Sequence, residues 1–309
     1  MAEIVTKAPK NDVGPTAVRD LFDAKEKVQS THTSELVIAL CGPIGSPLHK
    51  VAETIKHSLE NEFAYDRATI VRLSTLIENQ SGKATANGEH QRIKKLIDLG
   101  DDLRNKHGAS VLAELSINEI ALDRQKTKAK TESEIFKPRR VCHILDSIKN
   151  QEELDILKLV YRDMLYFVGV FSPMQVRVKA LEKRGMTAAE VYELIDRDSG
   201  EELDHGQTVR DTFPEADFFL RIDSDTDTQI KARVDRFLHL ILGTKITTPS
   251  YAENAMYLAS SASGNSACLS RQVGAAVTDK HGEIIAVGWN DVPKFGGNLY
   301  TSDLNLNFA

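Results

Sequence analysis

The segment with the clearest chemical potential is Gly42-Pro43-Ile44-Gly45-Ser46-Pro47-Leu48-His49-Lys50. It follows a short apolar run, Leu36 to Leu40, and precedes a stripe of Leu48, Val51, Ala52, Ile55, Leu59 and Phe63 spaced three and four apart. A buried strand entering a tight turn and then a helix brings backbone N–H groups and a helix N-terminus together, a combination that holds phosphate. A complete phosphate-binding loop reads G-x-x-x-x-G-K-[ST], with the lysine reaching the outer phosphates and the hydroxyl serving magnesium. Here Pro47 and Leu48 follow Gly45-Ser46, so Ser46 and Lys50 are displaced substitutes. Three readings stay open. The segment is a ligand-free turn, a nucleotide site in which Gly42, Gly45, Ser46 and Lys50 bind without efficient phosphoryl transfer, or a working kinase loop.

Asp146 closes a second apolar run, Val141 to Leu145, and is either a magnesium ligand paired with that loop or a helix cap ahead of Ser147-Ile148. Arg177, Lys179, Lys183, Arg184 and Arg197 form a basic cluster that is either a lid over phosphates or a solvated helix face. Cys142 and His143 adjoin in a strand, where alternation sends them to opposite faces and rules against a nucleophile and its base. His281-Gly282-Glu283 spells H-x-E, but it falls in the turn of an expected hairpin.

The elements that must position these residues alternate along the chain. Strands are expected at Leu36 to Leu40, Thr69 to Leu73, Val141 to Leu145, Leu165 to Phe171 and Phe218 to Ile222. Helices are expected at Leu48 to Phe63, Gly88 to Asn105, Ala109 to Arg124, around Leu154 to Tyr161, and at Arg177 to Arg184, Thr187 to Asp196 and Ile230 to Leu242. Lys126 to Lys137 reads as a charge-rich connector. This order argues a doubly wound parallel α/β sheet. After Gly243 the pattern changes to a helix, Tyr251 to Ala262, and a hairpin of Gln272 to Thr278 with Glu283 to Trp289. The expected organisation is a mobile arm at 1–33, with one short helix near Val18 to Lys27, a domain at 34–245 and a second unit at 246–309.

Composition narrows the function. The 309 residues carry 39 Lys+Arg against 45 Asp+Glu, a net charge of -6, which provides no overall attraction for double-stranded DNA or anionic lipid. The longest apolar run, Met164 to Phe171, falls far short of the roughly 20 residues that span a bilayer. No membrane partner and a cytoplasmic setting are therefore expected. Three scattered cysteines and no C-x-x-C pair point to free thiols in a reducing compartment.

Residues from about Ser34 to Gly243 resemble the P-loop nucleoside and nucleotide kinase superfamily. The resemblance rests on the Gly42 loop, Asp146-Ser147-Ile148-Lys149-Asn150-Gln151-Glu152-Glu153, and Asp211-Thr212-Phe213 before Ala216-Asp217. It implies a sheet of P-loop kinase type and a nucleotide, with magnesium as an accompanying ion. Arg271-Gln272-Val273-Gly274-Ala275-Ala276-Val277 and Gly288-Trp289-Asn290-Asp291-Val292-Pro293 resemble the opening of the deoxycytidylate deaminase family. That likeness implies an α/β cytidine-deaminase-like domain in which Asn290 hydrogen-bonds the sugar of the nucleotide; otherwise Asn290 is a turn residue ending a strand.

The two together resemble the anti-phage dCTP deaminases, which imply zinc-dependent conversion of dCTP or dCMP to the deoxyuridine nucleotide with release of ammonia. They also imply an unidentified inhibitor partner. The family's H-x-E and P-C-x-x-C motifs do not follow Pro293, so no catalytic residue and no zinc ligand is assigned to these residues. The chain is expected to stop inside the deaminase domain, to be catalytically silent as written, and to form a homo-oligomer; the unpaired edge of an unfinished sheet also invites pairing or aggregation.

Overall fold

The computed structural model describes residues 35–84, 86–130, 140–199, 209–224 and 226–292. The arm expected at 1–33, Pro293 and the tail from Asn298 to Ala309 lie outside the described residues. The chain divides at Leu242/Gly243 into two compact units.

In the first unit the elements are β1 (Leu36–Cys41), α1 (Leu48–Asn61), β2 (Arg67–Arg72), α2 (Leu73–Ser81), α3 (Glu89–His107), α4 (Val111–Lys130), β3 (Val141–Asp146), α5 (Gln151–Tyr161), β4 (Leu165–Phe171), α6 (Met174–Glu182), α7 (Ala188–Ser199), β5 (Phe218–Arg221) and α8 (Asp227–Ile241). All five strands run parallel in the order β2-β3-β1-β4-β5. β1 lies at the centre and every one of its residues is buried, because helices cover both faces. Leu36, Ile38 and Leu40 pack with Val51, Ile55 and Leu59 of α1 and with Val234 and Phe237 of α8. Val37, Ala39 and Cys41 pack on the other side with Leu112 and Ile120 of α4 and Leu154 and Leu157 of α5. This is a doubly wound parallel α/β sheet, as the order of elements along the sequence predicts.

Several boundaries moved for identifiable reasons. β2 spans Arg67–Arg72 rather than Thr69 to Leu73. It is an edge strand with exposed arginines at both ends, so apolar continuity misplaces it. Leu73 instead opens α2, a helix the spacing did not announce, which buries Leu73, Leu76 and Ile77. α4 continues past Arg124 to Lys130, into the stretch read as a connector. Gln, Lys and Ala are strong helix formers that need no apolar partner in solvent, so periodicity missed the extension. The remainder of that stretch, 131–139, lies outside the described residues. α6 begins directly after Pro173 and α8 at Asp227, both three residues ahead of the first expected position.

The second unit consists of α9 (Tyr251–Ser263), β6 (Gly274–Thr278) and β7 (Ile284–Trp289). Ser250 caps α9 with a reciprocal pair: its Oγ accepts the Glu253 N–H at 3.3 Å, and the Glu253 carboxylate accepts the Ser250 N–H at 2.6 Å. β6 and β7 pair antiparallel, from Gly274 opposite Trp289 to Thr278 opposite Ile284. The turn between them is held by the Asp279 carboxylate, which accepts the N–H groups of His281 at 2.8 Å and Glu283 at 2.9 Å. His281 and Glu283 therefore belong to a hairpin turn.

Candidate functional site

In open parallel sheets ligands gather beyond the carboxyl ends of the strands, where successive connections leave in opposite directions. Here that place lies between β1 and β4, and the Gly42 loop occupies it. Gly42 is required because a Cβ there would stand 2.3 Å from the Val170 carbonyl oxygen. Gly45 has φ +85°, and a Cβ would lie 2.9 Å from both the Cβ and the carbonyl of Arg177. The loop folds on itself through Ser46 N–H to the Pro43 carbonyl at 3.1 Å and Leu48 N–H to the Ser46 carbonyl at 2.9 Å. Pro47 contributes no N–H. The first turn of α1 presents the unpaired donors that any helix N-terminus carries.

Leu48 stands where a phosphate-binding loop has its lysine. It is only 8% exposed and packs into the core beside α1 and β1 rather than reaching outward. His49 stands where the loop hydroxyl belongs, and its Nδ1 lies 3.4 Å from the Asp146 carboxylate. The Arg72 guanidinium lies against the same imidazole. Asp146 is brought there by register, since it pairs with Leu40 at the end of β1. Burial raises the Asp146 carboxyl above its ordinary value, and His49, Arg72 and Lys149 oppose that rise.

Below the loop, the Lys149 ammonium donates to the Gly42 carbonyl at 2.9 Å and to the Asp198 carboxylate at 2.7 Å. The other Asp198 oxygen accepts the Ile44 N–H at 2.6 Å. Neither residue was among the sequence-derived candidates. Lys149 lies within the quoted Asp146 motif, but nothing local marks it as a support for the loop. Asp198 is 154 positions from Ile44 and has no local signal at all.

An open groove of about 540 Å³ runs along the outer side of the loop, lined by Gly45, Ser46, Lys50, Lys179, Lys183, Arg184, Asp223 and Ser224 among others. Of the expected residues, Gly45, Ser46 and Lys50 meet in this groove, Asp146 sits behind His49, and Gly42 anchors the turn against β4. Lys50 reaches to 3.8 Å from Asp227. The basic cluster divides: Lys179, Lys183 and Arg184 face the groove, and Arg184 pairs with Glu89. Arg177 is buried against Gly45, with its guanidinium 3.3 Å from the Met174 sulfur. Arg197 turns to Asp98 at 2.5 Å and Asp101 at 3.5 Å. Among the described residues Lys179 and Lys183 have no carboxylate partner.

No protein-family model matches the chain, and no curated protein matches it by sequence. Solved structures that align with it include a shikimate kinase from Bacteroides thetaiotaomicron at 14% identity, covering 67% of this chain and 98% of that one with a TM-score of 0.40. A gluconokinase from Sinorhizobium meliloti aligns at 12% identity over 69% of this chain and 99% of that one, with a TM-score of 0.30. A sugar kinase from Janibacter aligns at 13% identity over 70% and 99%, with a TM-score of 0.33.

The kinase resemblance implies magnesium, and the residues present fit it poorly. Magnesium takes hard oxygen ligands in octahedral order, whereas the hydroxyl position here holds an imidazole and the carboxylate faces protein cations. Among the described residues no group of three or more His, Cys, Asp or Glu side chains is arranged to hold a metal ion. None of their helices is long and apolar enough to cross a membrane.

In the second unit Asn290 ties the Arg271 and Gly288 segments together. Its Oδ1 accepts the Val273 N–H at 2.7 Å and the Ser266 hydroxyl at 2.9 Å, and its Nδ2 donates to the Arg271 carbonyl at 2.9 Å. One amide hydrogen is left for any other partner. Cys142 and His143 do part across the sheet: Cys142 enters the α1 side of the core, and the His143 Nε2 lies 3.0 Å from Glu35.

Proposed function

We propose that the unit ending at Leu242 is a nucleotide-binding module that holds phosphates without transferring them. The observation that carries this reading is the buried Leu48 at the place of the transfer lysine, beside a groove that retains Lys179 and Lys183. Phosphoryl transfer is almost entirely positioning and electrostatic stabilisation of the moving group, so an apolar side chain there removes rate and leaves binding to the backbone and the groove lysines. Calorimetric titration with ATP, dCTP and dTTP tests it. Saturable binding by at least one, with no transfer to nucleoside monophosphates, is the expected result. Flat titrations with all three would refute the reading, and measurable transfer would return the loop to the kinases.

A second reading concerns the unit from Gly243, and the Asn290 hydrogen bonds favour it because they join the Arg271 and Gly288 motifs in one helix-and-hairpin block. On this reading the block is the opening of a deoxycytidylate deaminase domain, whose zinc and catalytic glutamate are not supplied by these residues. Assay of residues 1 to 309 for ammonia release from dCTP and dCMP, with zinc added, is expected to be silent.

A further inference from the structure

We infer that the groove takes its phosphates as a metal-free polyanion, with protein cations doing the neutralising that magnesium does in phosphoryl-transfer enzymes. The inference rests on the nucleotide-binding reading above and names the ionic form of its ligand.

Two independent features support it. The first concerns the carboxylate. In a metal-dependent site the strand-end aspartate is turned toward an ion that bridges it to phosphate oxygens. Asp146 instead meets the His49 ring at 3.4 Å. The Arg72 guanidinium lies against that ring as well, and Lys149 adds its field from the β3–α5 loop. Glu53, one turn further along α1, lies 3.5 Å from the same imidazole. The space between the loop hydroxyl position and Asp146 is thus spanned by the His49 imidazole, a poor ligand for magnesium.

The second feature is the supply of positive charge. A magnesium ion brings two charges to a polyphosphate. Lys179 and Lys183, one turn apart on α6 and its C-cap, both line the groove without a carboxylate partner among the described residues. They bring the same two charges. The positive end of the α1 dipole adds to them at the loop. A free nucleoside triphosphate is more negative than its magnesium complex, so a site built this way binds the free form at least as well.

The sign of one substitution separates the two kinds of site. Where a metal bridges aspartate and phosphate, Asp→Asn loses the bridge and weakens binding. Where no metal intervenes, the carboxylate only repels the phosphates, and Asp146→Asn strengthens binding.

The experiment is calorimetric titration of the full chain with ATP, once in excess EDTA and once in excess magnesium. Wild-type affinity in EDTA is expected to equal or exceed that in magnesium. Asp146→Asn is expected to bind ATP a few-fold more tightly in EDTA, and Lys179→Ala/Lys183→Ala to bind it at least about tenfold more weakly, the scale of a lost charge-assisted contact. Binding that falls tenfold or more on chelation would overturn the inference and leave the nucleotide-binding reading intact. Absence of binding in both solutions overturns that reading and the inference with it. The wild-type comparison needs no variant, so a poorly folded mutant does not protect the idea.

Discussion

The Lys149 ammonium lies 2.7 Å from the Asp198 carboxylate, whose second oxygen takes the Ile44 N–H at 2.6 Å. One carboxylate on α7 thus fixes both a cation from the β3–α5 loop and the backbone of the Gly42 loop. The Asp198 side chain is 4% exposed and that of Lys149 14%, so removing one partner strands the other away from water. Asp198→Ala is expected to cost roughly 3–5 kcal/mol, the range for breaking a buried pair, and Asp198→Asn less because its amide oxygen still accepts. Urea denaturation of both variants checks the ranking; equal losses would show that the neutral acceptor contributes nothing and that the whole effect lies in the charge.

Gly45→Ala meets two penalties at once. Its φ of +85° disfavours any side chain, and the new Cβ has only 2.9 Å to Arg177. A loss of about 1–3 kcal/mol in stability and a marked loss of nucleotide affinity are expected. Thermal unfolding together with titration reads both, and unchanged values for each would contradict the loop geometry.

Thiol labelling should divide the cysteines. Burial pushes the Cys41 thiol up to about 12 and raises that of Cys142 as well, while Cys268 is partly exposed. Thiolate is the reacting form, so one equivalent of a disulfide reagent is expected to react with the folded protein, at Cys268, and the others only after denaturation. Rapid reaction of Cys142 in the native state would mean that the central sheet opens readily.

The Glu35–His143–Arg124 cluster predicts an acid response. Burial alone would raise the Glu35 carboxyl, but the bonds from His143 and Arg124 outweigh it and hold the group below its ordinary value. A carboxylate depressed in the folded state contributes stability above its unfolded value and loses it as pH falls through the folded one. Wild-type urea midpoints should therefore drop between neutral pH and about pH 3. Glu35→Gln should start lower and drop less; an identical pH profile would remove the cluster from the explanation.

The sequence carried most of the first unit, because central parallel strands are continuous apolar runs and α1 shows its stripe. It carried the edges poorly. β2 is half-exposed, α2 is nine residues long, and the end of α4 is made of residues that form helix without apolar spacing. At the site, local spacing located the Gly42 loop and Asp146. It could not locate Asp198, Lys149 or the Arg72 contact, since these meet through β-α crossovers that separate the partners by 23 positions for Arg72 and His49, 49 for Lys149 and Asp198, and 154 for Ile44 and Asp198. Lys50 was assigned by proximity in sequence, yet the helix turn sends it toward Asp227.

The burial of Leu48 bears on time as well as on chemistry. On the proposed reading, whatever enters the groove leaves it unaltered, so the protein spends no fuel and resets only by dissociation. Its filled fraction then follows the surrounding concentration, reaching one half when that concentration equals Kd. On that reading the chain is a gauge of a nucleotide pool, and its response to a fall in the pool is no faster than its off-rate.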